Sequence, residues 1–167
     1  IFFESANYYL DNIEPEVGFK HVPGGQQNAQ QSVLAFHFYD NPATEDTYFA
    51  NRSQKGIELN STSFVTEFDI DQNQYNSMQT TMDYADKYLM SWIGWEYKPF
   101  AGALPNGTCT GCGYGVFDIN GNIQPNVVKA ISRTYPQKVA GNTKSISFDW
   151  QHNGVFKMIY TMDTSIQ

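Results

Sequence analysis

Two hydrophobic stretches, Val33-Leu-Ala-Phe-His-Phe-Tyr39 and Ser63-Phe-Val-Thr-Glu-Phe68, decide the fold class of this chain. The first is a continuous apolar run, which is typical of a strand covered on both faces, as in a parallel sheet, and the second is predicted to be another buried strand. The segment between them, residues 44–57, is predicted to be a helix with Thr44 as its N-cap and Gly56 near its C-terminus. The order strand, helix, strand predicts a parallel βαβ unit.

The same alternation extends in both directions along the chain. The further predictions are a short apolar strand at 1–4 ending in Glu4, a long loop at 5–31, a helix at 74–88, a strand at 89–97, a Gly-rich loop through 122 and a helix at about 125–134. Met78, Met82, Ala85 and Leu89 fall at helical spacing, and we expect them to pack in the core. Parallel βαβ units with polar residues at the strand ends favour a (β/α) barrel.

The texture of the sequence changes after Pro136. Alternating segments at 145–150 and 155–160 flank the polar turn His152-Asn153-Gly154 and predict a β-hairpin. Two strands are not stable alone, so a further β-domain is expected to begin here.

Composition excludes several classes of function. The chain has 167 residues with 10 Lys and Arg against 17 Asp and Glu, a net charge of −7, which argues against binding to nucleic acid or to anionic membranes. No apolar run reaches the roughly 20 residues needed to span a bilayer. Low charge with many Asn, Gln and aromatic residues is typical of a surface that handles carbohydrate.

Three glycosylation sequons, at Asn51, Asn60 and Asn106, favour a secreted glycoprotein over unmodified surface asparagines. We expect an extracellular or lysosome-like lumenal location, with the chain either mature or a fragment since no signal peptide is found. Cys109 and Cys112 form a C-x-x-C pair, which suits a redox motif, half a zinc site or a local disulfide. The loop disulfide is favoured in an oxidising compartment.

Four residues lie where barrel chemistry would take place. Glu67 ends one strand, His37 and Tyr39 end the strand before it, and Trp95 ends the strand after it. A carboxylate beside a tyrosine hydroxyl and an indole face suits a retaining glycosidase, in which the carboxylate attacks the anomeric carbon. Taken singly, a strand-end Glu is more often a solvated or salt-bridged residue, and a Trp-X-X-Trp more often belongs to the core.

The collinear set resembles the endoglycoceramidases and related glycosylceramidases of glycoside hydrolase family 5. The resemblance is carried by Gly18-Phe-Lys-His-Val-Pro-Gly-Gly25, Val33–Tyr39, Phe64-Val-Thr-Glu-Phe68, Ser91-Trp-Ile-Gly-Trp-Glu-Tyr-Lys98 and Arg133-Thr-Tyr-Pro-Gln-Lys-Val-Ala-Gly141. It implies an α/β fold: the C-terminal half of a (β/α)8 TIM barrel over residues 1–135, followed by the first strands of a C-terminal β-sandwich over 136–167.

The resemblance also implies roles for single residues. Glu67 corresponds to the nucleophile, Tyr39 to its hydrogen-bonding partner, His37 to a residue lining the sugar site and Trp95 to the aromatic platform. Glu96 and Lys98 lie where contacts to the substrate sugar could form. Glu4 is a carboxylate at the barrel mouth, for which structural ion pairing is the favoured interpretation. The implied substrate is a glycosphingolipid or another β-glycoside, with membrane-surface contact through the lipid, and no metal or organic cofactor.

The family's acid/base glutamate, which follows the fourth strand, has no counterpart in this chain. Asn12, Glu14 and Glu16 lie in a loop without matching context. We therefore expect the first half of the barrel, from the same or another chain, to be needed, and this segment alone to be inactive. The competing hypotheses are a non-catalytic extracellular glycoprotein that reuses the barrel for binding or assembly and, much less favoured, a redox protein built on the cysteine pair.

Overall fold

The computed structural model describes residues 1–4, 18–39, 44–99 and 114–166. These residues form an α/β structure. The strands are β1 (Phe2–Glu4), β2 (Val33–Phe38), β3 (Thr62–Phe68), β4 (Ser91–Trp92), β5 (Gly141–Asp149) and β6 (Val155–Met162). The helices are α1 (Glu45–Glu58), α2 (Tyr75–Lys87) and α3 (Pro125–Ile131), and a 3-10 helix spans Gln26–Gln31.

A four-stranded parallel sheet, in the order β1-β2-β3-β4, is the frame of the fold. Because neighbouring strands run in the same direction, their carboxyl ends meet at one edge of the sheet. Glu4 ends β1, and Glu67 lies one residue before the end of β3. This confirms the predicted parallel α/β class and places the strand-end residues at a common edge.

The chain divides into two compact units. The first contains residues 1–69 and 90–94, and thus the whole parallel sheet with α1. The second contains residues 70–89 and 95–167, and thus α2, α3 and the hairpin of β5 and β6. The two units are defined by how compactly their residues pack, which does not test the boundary between barrel and sandwich. The boundary at residue 135 remains a prediction.

The first unit has an apolar core on the helix side of the sheet. One cluster of buried residues joins β1, the 3-10 helix and the end of α1 (Phe3, Val22, Ala29, Leu34, Leu59). Gly56 allows α1 to approach β3 closely, since a Cβ there would lie 2.6 Å from the hydroxyl oxygen of Ser63. That hydroxyl donates to the carbonyl of Arg52 at 2.7 Å, so helix and strand are also linked by a hydrogen bond.

The second unit is held together around Arg133, which is almost fully buried. Its Nη2 atom lies 2.7 Å from Asp83 and 2.9 Å from Asp86, both on α2, and its Nη1 contacts Gln79. The guanidinium lies 4.8 Å from the ring centre of Phe148 on β5. One side chain thereby connects the end of α3 with α2 and the hairpin.

Three sequence predictions are corrected by the structure. The strand predicted at 89–97 is limited to Ser91–Trp92, because only these residues pair with β3. Leu89 is 41% exposed and adopts a left-handed conformation with φ of 54°, since α2 has already ended. Thr44 makes no side-chain capping hydrogen bond to α1. Met78, Met82 and Ala85 are fully buried, as predicted.

All three predicted helices differ slightly in their bounds from the expectation, and α2 begins at Tyr75 and ends at Lys87 rather than spanning 74–88. The last helix ends at Ile131 rather than 134, and α1 extends to Glu58. The hairpin is confirmed, with β5 and β6 antiparallel and joined by a turn in which Asn153 and Gly154 both have positive φ. Positive φ at consecutive turn positions is the conformation that an Asn-Gly pair favours.

Candidate active site

A β-bulge directs Glu67 away from the buried side of its strand. Phe36 pairs with Val65, and the next residue, His37, pairs with Glu67, so Thr66 is an extra residue in β3. Burial shows the same shift, because Val65 and Phe68 are buried while Thr66 and Glu67 are half-buried. Such bulges commonly re-aim a side chain next to a functional site.

His37 and Tyr39 converge on one oxygen of Glu67. The hydroxyl of Tyr39 lies 3.0 Å from Oε2 of Glu67, and Nδ1 of His37 lies 3.1 Å from the same atom. The two rings are nearly perpendicular, with centroids 6.3 Å apart. The structure thus brings together the three residues that the sequence places at these strand ends.

The other oxygen of Glu67 is available for chemistry. Among the described residues, no hydrogen bond or ion pair is made by Oε1. The contacts of Tyr39 and His37 with Oε2 hold the carboxylate in place. The side chain is 28% exposed, so a substrate can reach it. An anchored carboxylate with one open oxygen is suited to nucleophilic attack.

Glu4 extends this group by one more carboxylate. Its Oε2 atom lies 3.5 Å from Nε2 of His37, so the imidazole stands between the carboxylates of Glu4 and Glu67. Burial raises the pKa of Glu4, the nearby His37 opposes that shift, and the negative charge of Glu67 adds to it. The structural contact favoured from the sequence is thus with His37, a residue of the site.

Helix α1 supports the site from behind the sheet. The hydroxyl of Tyr48 donates a 3.0 Å hydrogen bond to the carbonyl of His37. Arg52, one turn later and also buried, lies with its guanidinium 4.6 Å from the centre of the Tyr48 ring. Sequence reasoning missed both residues. The usable signal was their spacing of four, which places them on one face of the helix.

Trp95, Glu96 and Lys98 belong to the second compact unit. Trp95 is 41% exposed, Glu96 is half-buried and Lys98 is exposed. Partial burial raises the pKa of Glu96. The carbonyl of Glu96 accepts a 3.2 Å hydrogen bond from the amide of Val116, which fixes the backbone of this segment. Their contacts with substrate remain predictions.

The predicted modification sites differ in their surroundings. Asn60 is exposed just after α1 with φ of 53°, whereas Asn51 is half-buried within α1. Asn106, Cys109 and Cys112 lie outside the described residues, as do Asn12, Glu14 and Glu16. Glycosylation and the disulfide remain predictions.

No group of three or more metal-ligating side chains occurs within residues 1–4, 18–39, 44–99 and 114–166. Over the same ranges, no helix is long and apolar enough to cross a membrane.

A parallel sheet with helices, and with a carboxylate, a tyrosine and a histidine gathered at its carboxyl edge, is the arrangement expected of part of a (β/α) barrel. Comparison with known proteins shows which proteins of this fold the chain is similar to. The chain is 34% identical over 162 residues to an endoglycoceramidase of Hydra vulgaris and 30% identical over 155 residues to one of Cyanea nozakii. These matches cover 96% and 89% of this chain.

The chain spans 29% of the length of both curated relatives. Among solved structures it is similar to endo-glycoceramidase II from Rhodococcus sp., with a TM-score of 0.63, 17% identity and coverage of 82% of this chain and 30% of the other. No protein-family model matches. The resemblance to endoglycoceramidases is confirmed, and the fold is that of part of their TIM barrel.

Proposed function

We propose that the complete protein is a retaining β-glycosidase that hydrolyses the glycan–ceramide linkage of glycosphingolipids, with Glu67 as nucleophile. The observation that carries this proposal is the convergence of Tyr39 and His37 on a single oxygen of Glu67. The names of the relatives support the substrate class, because both are endoglycoceramidases. The structure of the Rhodococcus enzyme is that of a lactosyl-enzyme intermediate, which supports a covalent mechanism.

In the proposed reaction, Oε1 of Glu67 attacks the anomeric carbon of the sugar that is linked to ceramide. The bond from this carbon to the ceramide oxygen breaks, and an acid residue from another part of the protein gives that oxygen a proton. Water then attacks the glycosyl–Glu67 ester, the same acid residue takes its proton, and the free glycan leaves. Tyr39 and His37 hold Oε2 throughout, which keeps the carboxylate in line for attack.

The roles of the remaining residues are proposed from the resemblance to endoglycoceramidases. Trp95 supplies an exposed indole on which a sugar ring can stack, and Glu96 and Lys98 supply polar contacts to hydroxyl groups. No metal or organic cofactor takes part, because two carboxyl groups suffice for this chemistry.

The other half of the barrel is the required partner, whether it lies in the same or another chain. The coverage of 29% of each relative supports this, as do the two edge strands β1 and β4. That half supplies the acid/base carboxyl group, so the segment of residues 1–167 is inactive by itself. We also propose that the protein is secreted or lumenal. In this proposal Asn51, Asn60 and Asn106 are glycosylated, and Cys109 and Cys112 form a disulfide.

The test is covalent trapping in the complete protein. A 2-deoxy-2-fluoro glycoside with a good leaving group is incubated with the protein, and the labelled peptide is identified by mass spectrometry. We expect the label on Glu67, together with release of intact glycan and ceramide from a glycosphingolipid. A folded complete protein that releases no glycan and takes up no label would refute the proposal and favour the non-catalytic alternative.

A further inference from the structure

Two successive carbonyl groups of β2, at the position where β3 bulges, accept hydrogen bonds from side chains. The carbonyl of Phe36 accepts a 3.2 Å hydrogen bond from the hydroxyl of Thr66, and that of His37 accepts one of 3.0 Å from Tyr48. A buried carbonyl group is stabilised when a donor reaches it, and the donor to His37 comes from α1. The backbone that carries His37 is therefore held by a helix side chain.

Tyr48 is itself fixed in position. Its side chain is only 5% exposed, and its ring packs against Phe36 and Phe38, with centroids 5.6 and 5.4 Å away. These two phenylalanines flank His37 in β2. The ring therefore lies beneath the histidine, on the opposite side of the strand from the site.

Arg52 determines the direction of the Tyr48 hydroxyl. Its Nη2 atom lies 3.4 Å from the hydroxyl oxygen. A guanidinium can only donate, so the hydroxyl accepts from Arg52 and gives its own hydrogen to the carbonyl of His37. The result is a directed chain from Arg52 through Tyr48 to the backbone of His37.

We propose that Tyr48 is a positioning residue that holds the backbone of His37 at the bulge, so that the imidazole meets Oε2 of Glu67. This deepens the proposed function and rests on it. Loss of the bond lets the backbone at His37 turn, which moves the imidazole away from Glu67. Because the imidazole holds the carboxylate that is proposed to attack the sugar, we expect the chemical step to be affected more than binding.

The test is Tyr48→Phe in the complete protein, because this variant keeps the packed ring and removes only the hydroxyl. We expect kcat on a glycosphingolipid to fall about tenfold or more, with KM within roughly twofold of wild type. Tyr75→Phe is the matched control, since Tyr75 is a half-buried tyrosine of α2 in the second unit. It should leave both constants unchanged.

A second readout does not depend on activity. The protein is labelled with ¹⁵N-histidine, and the His37 signals are assigned by their loss in His37→Asn. Tyr48→Phe should shift the ring-nitrogen signals of His37 and leave those of His21 and His152 in place. Arg52→Met should shift the same signals in the same direction and lower kcat about threefold, because the hydroxyl loses its orienting donor.

The outcomes separate the two proposals. Wild-type protein without glycosidase activity would defeat the proposed function, while the histidine signals would still decide the role of Tyr48. Folded Tyr48→Phe protein with unchanged His37 signals would overturn the positioning role, and so would an equal change in the Tyr75→Phe control. If Tyr48→Phe does not fold, the His37 signals in Arg52→Met test the positioning role instead, and unchanged signals there would overturn it.

Discussion

Tyr39, directly after β2, donates a 3.0 Å hydrogen bond to Oε2 of Glu67 on β3, although the two residues lie 28 positions apart. The contact arises because parallel neighbouring strands end at the same edge of the sheet, and because the bulge at Thr66 turns Glu67 toward the same side as Tyr39. His37 reaches the same oxygen from two residues earlier in the chain. The group therefore holds one carboxylate oxygen and leaves the other open.

Tyr39→Phe should reduce glycolipid hydrolysis by the complete protein by roughly 10- to 100-fold, since a hydrogen bond to a charged group contributes about 1.5–3 kcal/mol. The loss should be in kcat, because the bond acts on Glu67, the proposed nucleophile, and not on the bound sugar. Steady-state kinetics measures it. Tyr135→Phe, at a tyrosine that is 71% exposed, is the control and should behave as wild type. Full activity of Tyr39→Phe would remove Tyr39 from the mechanism.

Glu67→Gln should lower kcat of the complete protein by roughly 10³-fold or more, because an amide cannot form the glycosyl ester. Its thermal unfolding temperature should stay close to that of wild type, since Gln keeps the size of the side chain and this side chain is partly exposed. Glu58→Gln, at the exposed end of α1, is the carboxylate control. Retained activity in folded Glu67→Gln would contradict the assignment of the nucleophile.

Glu4→Gln should change how stability depends on pH. The pKa of Glu4 is raised from 4.5, so between 4.5 and the raised value the folded state binds more protons than the unfolded state. Stability therefore falls as pH rises through this window. Gln cannot titrate, so the melting temperature of the variant, relative to wild type, should increase from pH 4.5 to pH 7. Thermal scans across this range check the direction, and an opposite slope would show that Glu4 is stabilised in its charged form.

Arg133→Met should destabilise the protein by about 3 kcal/mol, because the largely buried carboxyl of Asp86 loses its cationic partner. Burial already raises the pKa of Asp86, and Arg133 opposes that shift. Removing Arg133 raises this pKa further, so the loss should be larger at pH 7 than at pH 4.

Urea unfolding at the two pH values measures this effect. Lys129→Met, at an exposed cation of α3, is the control and should have little effect. Asp86→Asn in the Arg133→Met background should recover part of the lost stability. If the destabilisation is the same at both pH values, Arg133 acts through packing against Phe148 rather than through Asp86.

Hydrophobic patterning was sufficient for the order of strands and helices. The two buried runs became β2 and β3, the segment between them became α1, and the Asn153-Gly154 turn became a hairpin. Patterning failed where the bounds of an element depend on strand pairing or on the point at which a helix ends. Leu89 continues the helical spacing of Met78 and Met82, yet α2 ends before it and leaves it exposed.

Tyr48 shows a different limit of sequence reasoning. In the sequence it is one more aromatic residue of an amphipathic helix, and packing in the core is the obvious expectation. Its ring does pack there, but its hydroxyl also donates a hydrogen bond to the carbonyl of His37. The position of that carbonyl depends on the register between β2 and β3, which no local pattern reports.

The sequence by itself determined the α/β class, the strand-end location of His37, Tyr39 and Glu67, and the resemblance to endoglycoceramidases, because these depend on residue type and periodicity. Only the tertiary structure decided which way Glu67 points. Strict alternation from Val65 would turn Glu67 toward the helix side of the sheet, and the extra residue Thr66 reverses this. A bulge is fixed by pairing between strands, so its effect on Glu67 exists only in the folded sheet.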